Sequence, residues 1–198
     1  MNTNIFDSLA ADEAATLARL HRRLEHDADA ADVLDVAYRT VDTPVGKLLL
    51  AATTAGLVRV AYDIEGHDAV LAGLADRISP RVLRAPARLD NAARQIDEYF
   101  AKRRTVFEVP VDLRLAEGFR RNVIEHLRDI GYGRRESYAA VAAAIGSPRA
   151  VRAVGTACAH NPLPVVIPCH RVVRSDGSTG QYVGGPLAKS TLLDLEAA

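Results

Sequence analysis

The sequence predicts an α+β protein built from two small domains, a mixed α/β domain followed by a mainly helical one. Short β-rich runs separated by glycine-containing turns occupy residues 36–63, and amphipathic helical patterns follow them. An irregular stretch at residues 103–117 precedes a second series of helical patterns, and the balance of charge changes sign there. A chain of 198 residues is long enough for one or two domains of ordinary size.

A helical segment precedes the first domain. From Asp12 to Asp29 the chain is rich in Ala, Leu, Arg and Glu, and Leu17, Leu20 and Leu24 share one face of the predicted helix. We assign residues 1–32 to an amino-terminal helical extension.

The first domain, residues 33–104, is expected to begin as an antiparallel meander. Three short strands joined by tight turns are predicted at Val36–Val41, Leu48–Ala52 and Leu57–Tyr62. Two helices are predicted after the meander, at His67–Ser79 and Leu89–Lys102. The second of these helices is expected to turn inward the side chains of Ala93, Ile96, Tyr99 and Phe100.

The second domain, residues 105–198, is predicted to contain a helix, a glycine turn and another helix. After an amphipathic helix at Phe119–Ile130, Ser137 is placed to cap a helix over Tyr138–Ile145. Ser147-Pro148 would then begin a helix that ends near His160. A helix-turn-helix presents the amino end of its second helix to DNA. Two alanine-rich helices that only pack on each other would give the same pattern, so the pattern alone leaves both interpretations open.

Charge is distributed unevenly, although the formal net charge is zero. Residues 1–101 contain 11 Lys/Arg and 16 Asp/Glu, whereas residues 102–198 contain 14 and 9. A basic second half suits a polyanionic partner. The even total argues against a disordered acidic tail and against a wholly basic nucleic-acid coat.

The cysteine content and the amino-terminal sequence indicate a reducing cytoplasm, because two cysteines are present and no secretory signal is recognisable. No apolar stretch approaches the roughly 18 residues of a membrane helix, so no membrane association is expected. Cys158, His160, Cys169 and His170 are zinc-ligand residue types, but they do not form two close pairs. We therefore predict no metal site.

Cys169 follows an apolar run, Leu163–Ile167, that is flanked by prolines and is expected to end at a buried bend. A buried cysteine is often only a small apolar side chain. His170 and Arg171 are groups that favour a thiolate, which would make Cys169 a nucleophile. Adjacent side chains rarely face each other, so His170 would act as a base through a bridging water. The carboxylates nearest in sequence that would orient it are Asp176, Asp194 and Glu196.

The segment NPLPVVIPCHRVV, from Asn161 to Val173, resembles the methylated-DNA-protein-cysteine methyltransferases, also called O6-alkylguanine-DNA alkyltransferases. It is preceded by RAVG at Arg152–Gly155 and followed by YVGG at Tyr182–Gly185. The similarity extends from about Ser137 to Glu196 and covers the region from Val36 onward more weakly. Residues 1 to about 32 lie outside it.

The resemblance implies an amino-terminal α/β domain of ribonuclease-H-like topology and a helical domain with a winged helix-turn-helix. It implies a monomeric protein that needs no cofactor and binds the minor groove of double-stranded DNA, with cooperative binding of several copies left open. The implied activity is DNA repair. An alkyl group on O6-alkylguanine, or on O4-alkylthymine, would be transferred irreversibly to the protein's own cysteine after the base is flipped out of the duplex.

The resemblance also implies roles for the reacting residues. Cys169 would be the nucleophile, His170 its water-mediated base and Glu196 the carboxylate behind that base. Tyr138 would help to rotate the nucleotide out and would donate a proton toward the leaving guanine. Asn161 would brace the turn beside the active site.

Other residues would contact the DNA and the extruded base. Arg152 would fill the gap left in the duplex, and the remaining DNA contacts are assigned to Ser137, Tyr138, Ala153 and Thr156. The pocket for the base would be lined by Pro164, Val172, Tyr182, Val183 and Gly184.

Three other functions use parts of the same pattern. An alkyltransferase-like protein binds lesions without repairing them, but such proteins replace the reactive cysteine, and Cys169 is present. A thiol hydrolase would draw its histidine from a distant segment and would turn over. A helix-turn-helix regulator would need no reactive thiol.

Overall fold

A computed structural model describes the backbone of residues 5–197 and the side chains of residue 13 and residues 15–197. Within this part of the chain, a four-stranded sheet with helices on both faces is followed by a bundle of short helices. None of the described helices is both long and apolar enough to cross a membrane.

The sheet has the strand order β3-β2-β1-β4. Strands β1 (Val36–Thr43), β2 (Gly46–Thr53) and β3 (Gly56–Tyr62) form antiparallel pairs, which confirms the predicted meander. Strand β4 (Val82–Arg84) was not predicted, and it pairs in parallel with the start of β1. Three residues are too few to show an alternating pattern, and the strand is defined by its pairing with β1.

Helices pack on both faces of the sheet because side chains alternate along each strand. Helix α2 (His67–Arg77) covers one face, where Leu74 meets Val58. Helix α3 (Asp90–Phe100) covers the other face and buries Ala93, Ile96 and Tyr99 as predicted, while Phe100 is only partly buried.

The same apolar core continues into the second half of the chain. Ile96 of α3 belongs to one cluster with Ile124 and Leu127 of α4 (Gly118–Leu127). Between these helices the chain is irregular and follows the edge of the sheet. There the amide of Leu57 donates to the Pro110 carbonyl at 2.8 Å, and the amide of Asp112 donates to the Leu57 carbonyl at 2.8 Å. The division of the chain at residues 104 and 105 stays a prediction.

Gly56 is where this connecting segment approaches the sheet most closely. Its φ is +141°, and a Cβ atom there would overlap the Pro110 carbonyl and lie 2.9 Å from the Val111 nitrogen. Gly46 also has a positive φ, +98°, but a Cβ there would have nothing within 4 Å. A side chain at Gly46 would strain only the backbone, whereas a side chain at Gly56 would also overlap another part of the chain.

Gly56→Ala is expected to lower the free energy of unfolding by about 3 kcal/mol more than Gly46→Ala does, since both substitutions strain the backbone and one also overlaps a fixed chain segment. Urea denaturation of the two variants and the unsubstituted chain measures the difference. Equal losses in the two variants would show that the connecting segment moves away without cost.

The second half contains α4, α5 (Tyr138–Ala144), α6 (Val151–Ala159) and α7 (Gly185–Glu196). Two short parallel strands, β5 (Glu136–Ser137) and β6 (Val172–Val173), tie the start of α5 to the segment after Cys169. Ser137 caps α5 as predicted, because its Oγ accepts from the amide of Ala140 at 3.0 Å.

The predicted start of the helix at Ser147-Pro148 is wrong. Helix α6 begins at Val151, and Ala150 occupies the N-cap position. Residues 147–150 form a turn instead, in which the amide of Ala150 donates to the carbonyl of Ser147 at 2.8 Å. The chain changes direction in this turn, directly after Gly146, whose φ is +71°.

Helix α1 (Ile5–Ala30) is longer than predicted, and its leucine face is not buried. Leu17, Leu20 and Leu24 are 59%, 53% and 52% exposed. The helix is joined to the sheet domain near its carboxyl end, where His21 Nε2 lies 2.7 Å from the Arg84 carbonyl and Asp29 pairs with Arg88.

Candidate active site

Cys169 opens a short 3-10 turn, Cys169–Arg171, at the end of a buried loop. Asn161 supports this loop from its beginning. Its Nδ2 donates to the Ile167 carbonyl at 2.8 Å, and its Oδ1 accepts from the Leu163 amide at 3.0 Å. The loop is compact rather than extended, and it leaves the Cys169 side chain only 2% exposed.

Behind Cys169, His170 and Glu196 form a buried pair. His170 Nε2 lies 2.9 Å from Glu196 Oε1, and both residues are almost completely buried. Of the other two carboxylates considered, Asp176 accepts from the Ser178 amide in its own loop, and Asp194 is exposed on α7. Glu196 is therefore the carboxylate that contacts His170.

The Glu196 carboxylate accepts five hydrogen bonds from four residues, of which His170 is one. Arg171 donates to both oxygens at 2.8 Å, and the Gly133 amide donates to Oε2 at 3.2 Å. The Tyr99 hydroxyl donates to Oε1 at 2.7 Å. Because these donors favour the anion, Glu196 is held as a carboxylate in the protein interior.

The protonation states follow from these surroundings. Burial acts to raise the pKa of Glu196, but the hydrogen bonds from His170 and Arg171 outweigh it and bring that pKa well below its usual range. Burial lowers the pKa of His170, against the opposing pull of Glu196, so the imidazole is neutral near pH 7. With Nε2–H donating to Glu196, the other nitrogen is an acceptor. That nitrogen, Nδ1, is buried and has no hydrogen-bond partner among the described residues.

The Cys169 thiol is protonated in this state. Burial raises its pKa to about 11, while Asn161, Lys189 and Tyr182 act in the opposite direction. The expectation that Arg171 favours the thiolate is not supported, since its guanidinium is bonded to Glu196 and to the Ile130 carbonyl. The cation that does act on the thiol is Lys189, which is fully buried.

The residues predicted to line the base pocket differ in burial, and among them Tyr182 lies close enough to Cys169 to affect its thiol. Pro164 and Val172 are buried, whereas Tyr182, Val183 and Gly184 are partly exposed. The Val172 carbonyl accepts from Lys189 Nζ at 2.6 Å, which leaves one lone pair for another donor.

Tyr62 of strand β3, which no local pattern singled out, lies against two of these residues, Tyr182 and Gly184. Its hydroxyl lies 3.1 Å from that of Tyr182, and a Cβ atom on Gly184 would lie 2.6 Å from its ring. Strand β3 therefore reaches two of the residues predicted to bind the base, and Gly184 lacks a side chain where the Tyr62 ring needs the space.

The residues predicted to contact DNA lie mainly on one face of α6. Arg152, Ala153 and Thr156 are exposed, whereas Val154, Ala157 and Cys158 are buried against the helices behind. Tyr138 stands at the start of α5, is partly buried, and has its ring beside Gly155 of α6 and Gly180. Burial, with smaller contributions from Cys158 and Cys169, raises the pKa of Tyr138 to about 12, so its hydroxyl remains a proton donor.

The described residues contain no group of three or more His, Cys, Asp or Glu side chains arranged to hold a metal ion. Both cysteines are free thiols.

Two domain families match consecutive parts of the chain. The ribonuclease-like domain of 6-O-methylguanine DNA methyltransferase matches residues 36–113, and the DNA binding domain of the same proteins matches residues 118–198. Residues before 36 lie outside both matches.

Characterised relatives match over most of their length. A methylated-DNA–protein-cysteine methyltransferase of Mycolicibacterium paratuberculosis is 38% identical over 161 residues, covering 81% of this chain and 92% of the relative. The constitutive enzyme of that name from Bacillus subtilis is 34% identical, with coverage of 80% and 94%.

Solved structures agree with these relatives. The O6-methylguanine methyltransferase of Mycobacterium tuberculosis superposes with a TM-score of 0.72 at 36% identity, covering 82% of this chain and 93% of that one. A structure of the M. tuberculosis protein in complex with DNA gives a TM-score of 0.70 with coverage of 81% and 92%. The likeness confirms the predicted fold class, and the chain belongs to the methylated-DNA–protein-cysteine methyltransferase family.

Proposed function

We propose that this chain repairs DNA by transferring an alkyl group from O6 of alkylated guanine, and from O4 of alkylated thymine, to the sulfur of Cys169. The observation that carries the proposal is the buried arrangement behind the thiol. His170 is fixed by Glu196 through Nε2, and its Nδ1 is an acceptor with no partner among the described side chains. That nitrogen is the proton acceptor that a buried thiol needs.

The reaction is a displacement at the alkyl carbon. The thiol proton passes through a bridging water to His170 Nδ1, and the thiolate sulfur forms a bond to the alkyl carbon. The carbon–oxygen bond breaks, and its electron pair goes to the guanine oxygen. Tyr138 protonates the guanine ring as negative charge develops on it. The tyrosinate then takes a proton from water and His170 releases one to water, so the proton lost by the thiol is balanced by the proton gained by guanine.

The product explains why each molecule acts once. A thioether has no hydrolysable ester and no reducible disulfide, so none of the surrounding groups can regenerate the thiol. The reaction as written uses no cofactor. The free thiols suit a reducing cytoplasm.

DNA would be bound by α6 in the minor groove, with the protein acting as a monomer. Arg152 is exposed on this helix and would fill the space of the extruded nucleotide, while Tyr138 would crowd the adjacent phosphate. Extrusion costs a few kcal/mol and costs least where alkylation has weakened the base pair. The base would then lie against Tyr182, with its exocyclic amine donating to the Cys169 and Val172 carbonyls.

The test is to incubate the protein with a duplex that carries one O6-methylguanine and to measure the mass of the tryptic peptide at residues 153–171. This peptide contains both cysteines, so fragment ions must locate the added group. We expect one methyl group per molecule, on Cys169, and none after incubation with the unmethylated duplex.

Each contrary outcome identifies another function. Folded protein that binds the lesion but keeps an unmodified peptide would be a lesion-binding protein or a regulator. Guanine formed in excess over protein, with the thiol regained, would indicate turnover of the hydrolase kind.

A further inference from the structure

Tyr99 brings the sheet domain into contact with the active-site carboxylate. It lies on α3, is 0% exposed, and donates its hydroxyl to Glu196 Oε1 at 2.7 Å across 97 residues of sequence. Its ring is held in place by Phe100, Phe107 and Tyr132, with ring centroids 5.2, 5.3 and 6.1 Å away. The hydroxyl is therefore aimed by a packed aromatic cluster.

We propose that Tyr99 is a positioning residue for the transfer reaction and sets the basicity of His170 through the shared oxygen of Glu196. The inference rests on the proposed function, because it concerns the base of that reaction. It assigns part of the active site to the domain that does not carry the reactive cysteine.

The negative charge of one carboxylate oxygen is shared among several donors. Glu196 Oε1 accepts from His170, from Arg171 and from Tyr99. Each additional donor draws negative charge away from the imidazole and so weakens the stabilisation of the protonated ring. The Tyr99 hydroxyl also fixes the direction of the carboxylate, which in turn orients His170.

A purely packing role would not require this partner. A buried tyrosine hydroxyl needs an acceptor, but a backbone carbonyl is sufficient. Tyr132, in the same aromatic cluster, does this by donating to the Leu195 carbonyl at 3.1 Å. Tyr99 instead donates to Glu196, the carboxylate that contacts His170.

Several other charged and titratable groups surround His170 and are not changed by a substitution at Tyr99. They are Cys169 and Arg171 on the same turn, Lys189 and Glu196 on α7, and Tyr182, whose ring centroid is 6.3 Å away. Burial, followed by the charge of Glu196, raises the pKa of Tyr99 far above its ordinary value. Tyr99 is thus a neutral donor throughout the working range.

The experiment compares Tyr99→Phe with Tyr132→Phe in single-turnover methyl transfer measured across pH. Transfer falls at low pH as His170 takes up a proton. Without the Tyr99 hydroxyl, the midpoint of this fall is expected to move up by roughly half to one pH unit, and the plateau rate to drop about tenfold. Tyr132→Phe keeps the midpoint of the unsubstituted chain, because its hydroxyl does not touch the carboxylate.

A second substitution keeps the tyrosine ring and is expected to shift the pH midpoint of transfer in the opposite direction. 3-Fluorotyrosine placed at position 99 retains the ring and is a stronger hydrogen-bond donor, so the midpoint should move down. Coincident midpoints for the fluorinated, phenylalanine and unsubstituted proteins would overturn the role of Tyr99 while leaving the proposed function standing. Absence of transfer by the unsubstituted protein would overturn the proposed function itself.

Discussion

Cys169→Ser is expected to bind duplex DNA that carries O6-methylguanine and to acquire no methyl group. A serine hydroxyl fits the space of the thiol, but it ionises far less readily and its oxygen is a weaker nucleophile toward carbon. The surroundings of His170 are unchanged by the substitution. Mass measurement of the peptide and a binding titration with the methylated duplex, made on the same preparation, give the two results together.

Cys158→Ser is the matched control, since it removes the other buried thiol from the same peptide. Cys158 lies on α6 as part of the core, and burial raises the pKa of its thiol well above the ordinary value. This variant should transfer the methyl group to Cys169 with a stoichiometry of one. A methyl group found on Cys158 in the Cys169→Ser protein would contradict the assignment of the nucleophile.

Glu196→Gln is expected to lower the free energy of unfolding by about 3 kcal/mol at pH 7 and to slow transfer by about 100-fold. The amide is nearly the same size, but it leaves the buried Arg171 guanidinium without its opposite charge. Removal of one partner from a buried ion pair usually costs roughly 3 to 5 kcal/mol. The loss in rate follows because a neutral amide no longer stabilises the imidazolium that forms during transfer.

Glu136→Gln serves as the control for this substitution. Glu136 also pairs with a histidine, His126 at 2.9 Å, but both side chains are partly exposed. Such a pair contributes little, so the change in unfolding free energy should stay within about 0.5 kcal/mol. Similar losses in the two variants would mean that the burial of Glu196 adds nothing.

The contribution of Glu196 should also depend on pH. Its pKa is lowered on folding from the ordinary 4.5, so its stabilisation is complete above that value and is lost as the pH falls through the folded pKa. His170 has a pKa lowered from 6.5, and its unfolded form takes up a proton first, so stability also declines below about pH 6.5. Urea denaturation between pH 7 and pH 4 should show a steeper decline for the unsubstituted chain than for Glu196→Gln below about pH 4.5.

The sequence predicted those parts of the fold that have local signals. The meander follows from β-rich runs separated by Gly46 and Gly56, both of which have positive φ. Ser137 caps its helix because a serine before an alanine-rich run satisfies a free amide. Strand β4 and the start of α6 carry no such local signal, since one depends on pairing with β1 and the other on a turn after Gly146.

The active site was predictable only where it lies in one segment. Cys169, His170 and Asn161 belong to the motif itself, and Glu196 was one of three candidate carboxylates until the resemblance selected it. Tyr99 was predicted to be buried, but periodicity cannot tell that its hydroxyl meets a carboxylate 97 residues away. Tyr62 and Lys189 were missed for the same reason, because tertiary packing alone brings them close enough to the thiol to interact with it.

The burial of Cys169 slows the chemical modification of its thiol in the protein that has not bound DNA. Burial raises the pKa of this thiol, which is only 2% exposed, to about 11, so the protonated form strongly predominates at pH 7. Peroxides and soluble electrophiles react with thiolates, so they consume such a group slowly. A protein whose cysteine can react only once therefore keeps that thiol unmodified until an alkylated base is bound next to it.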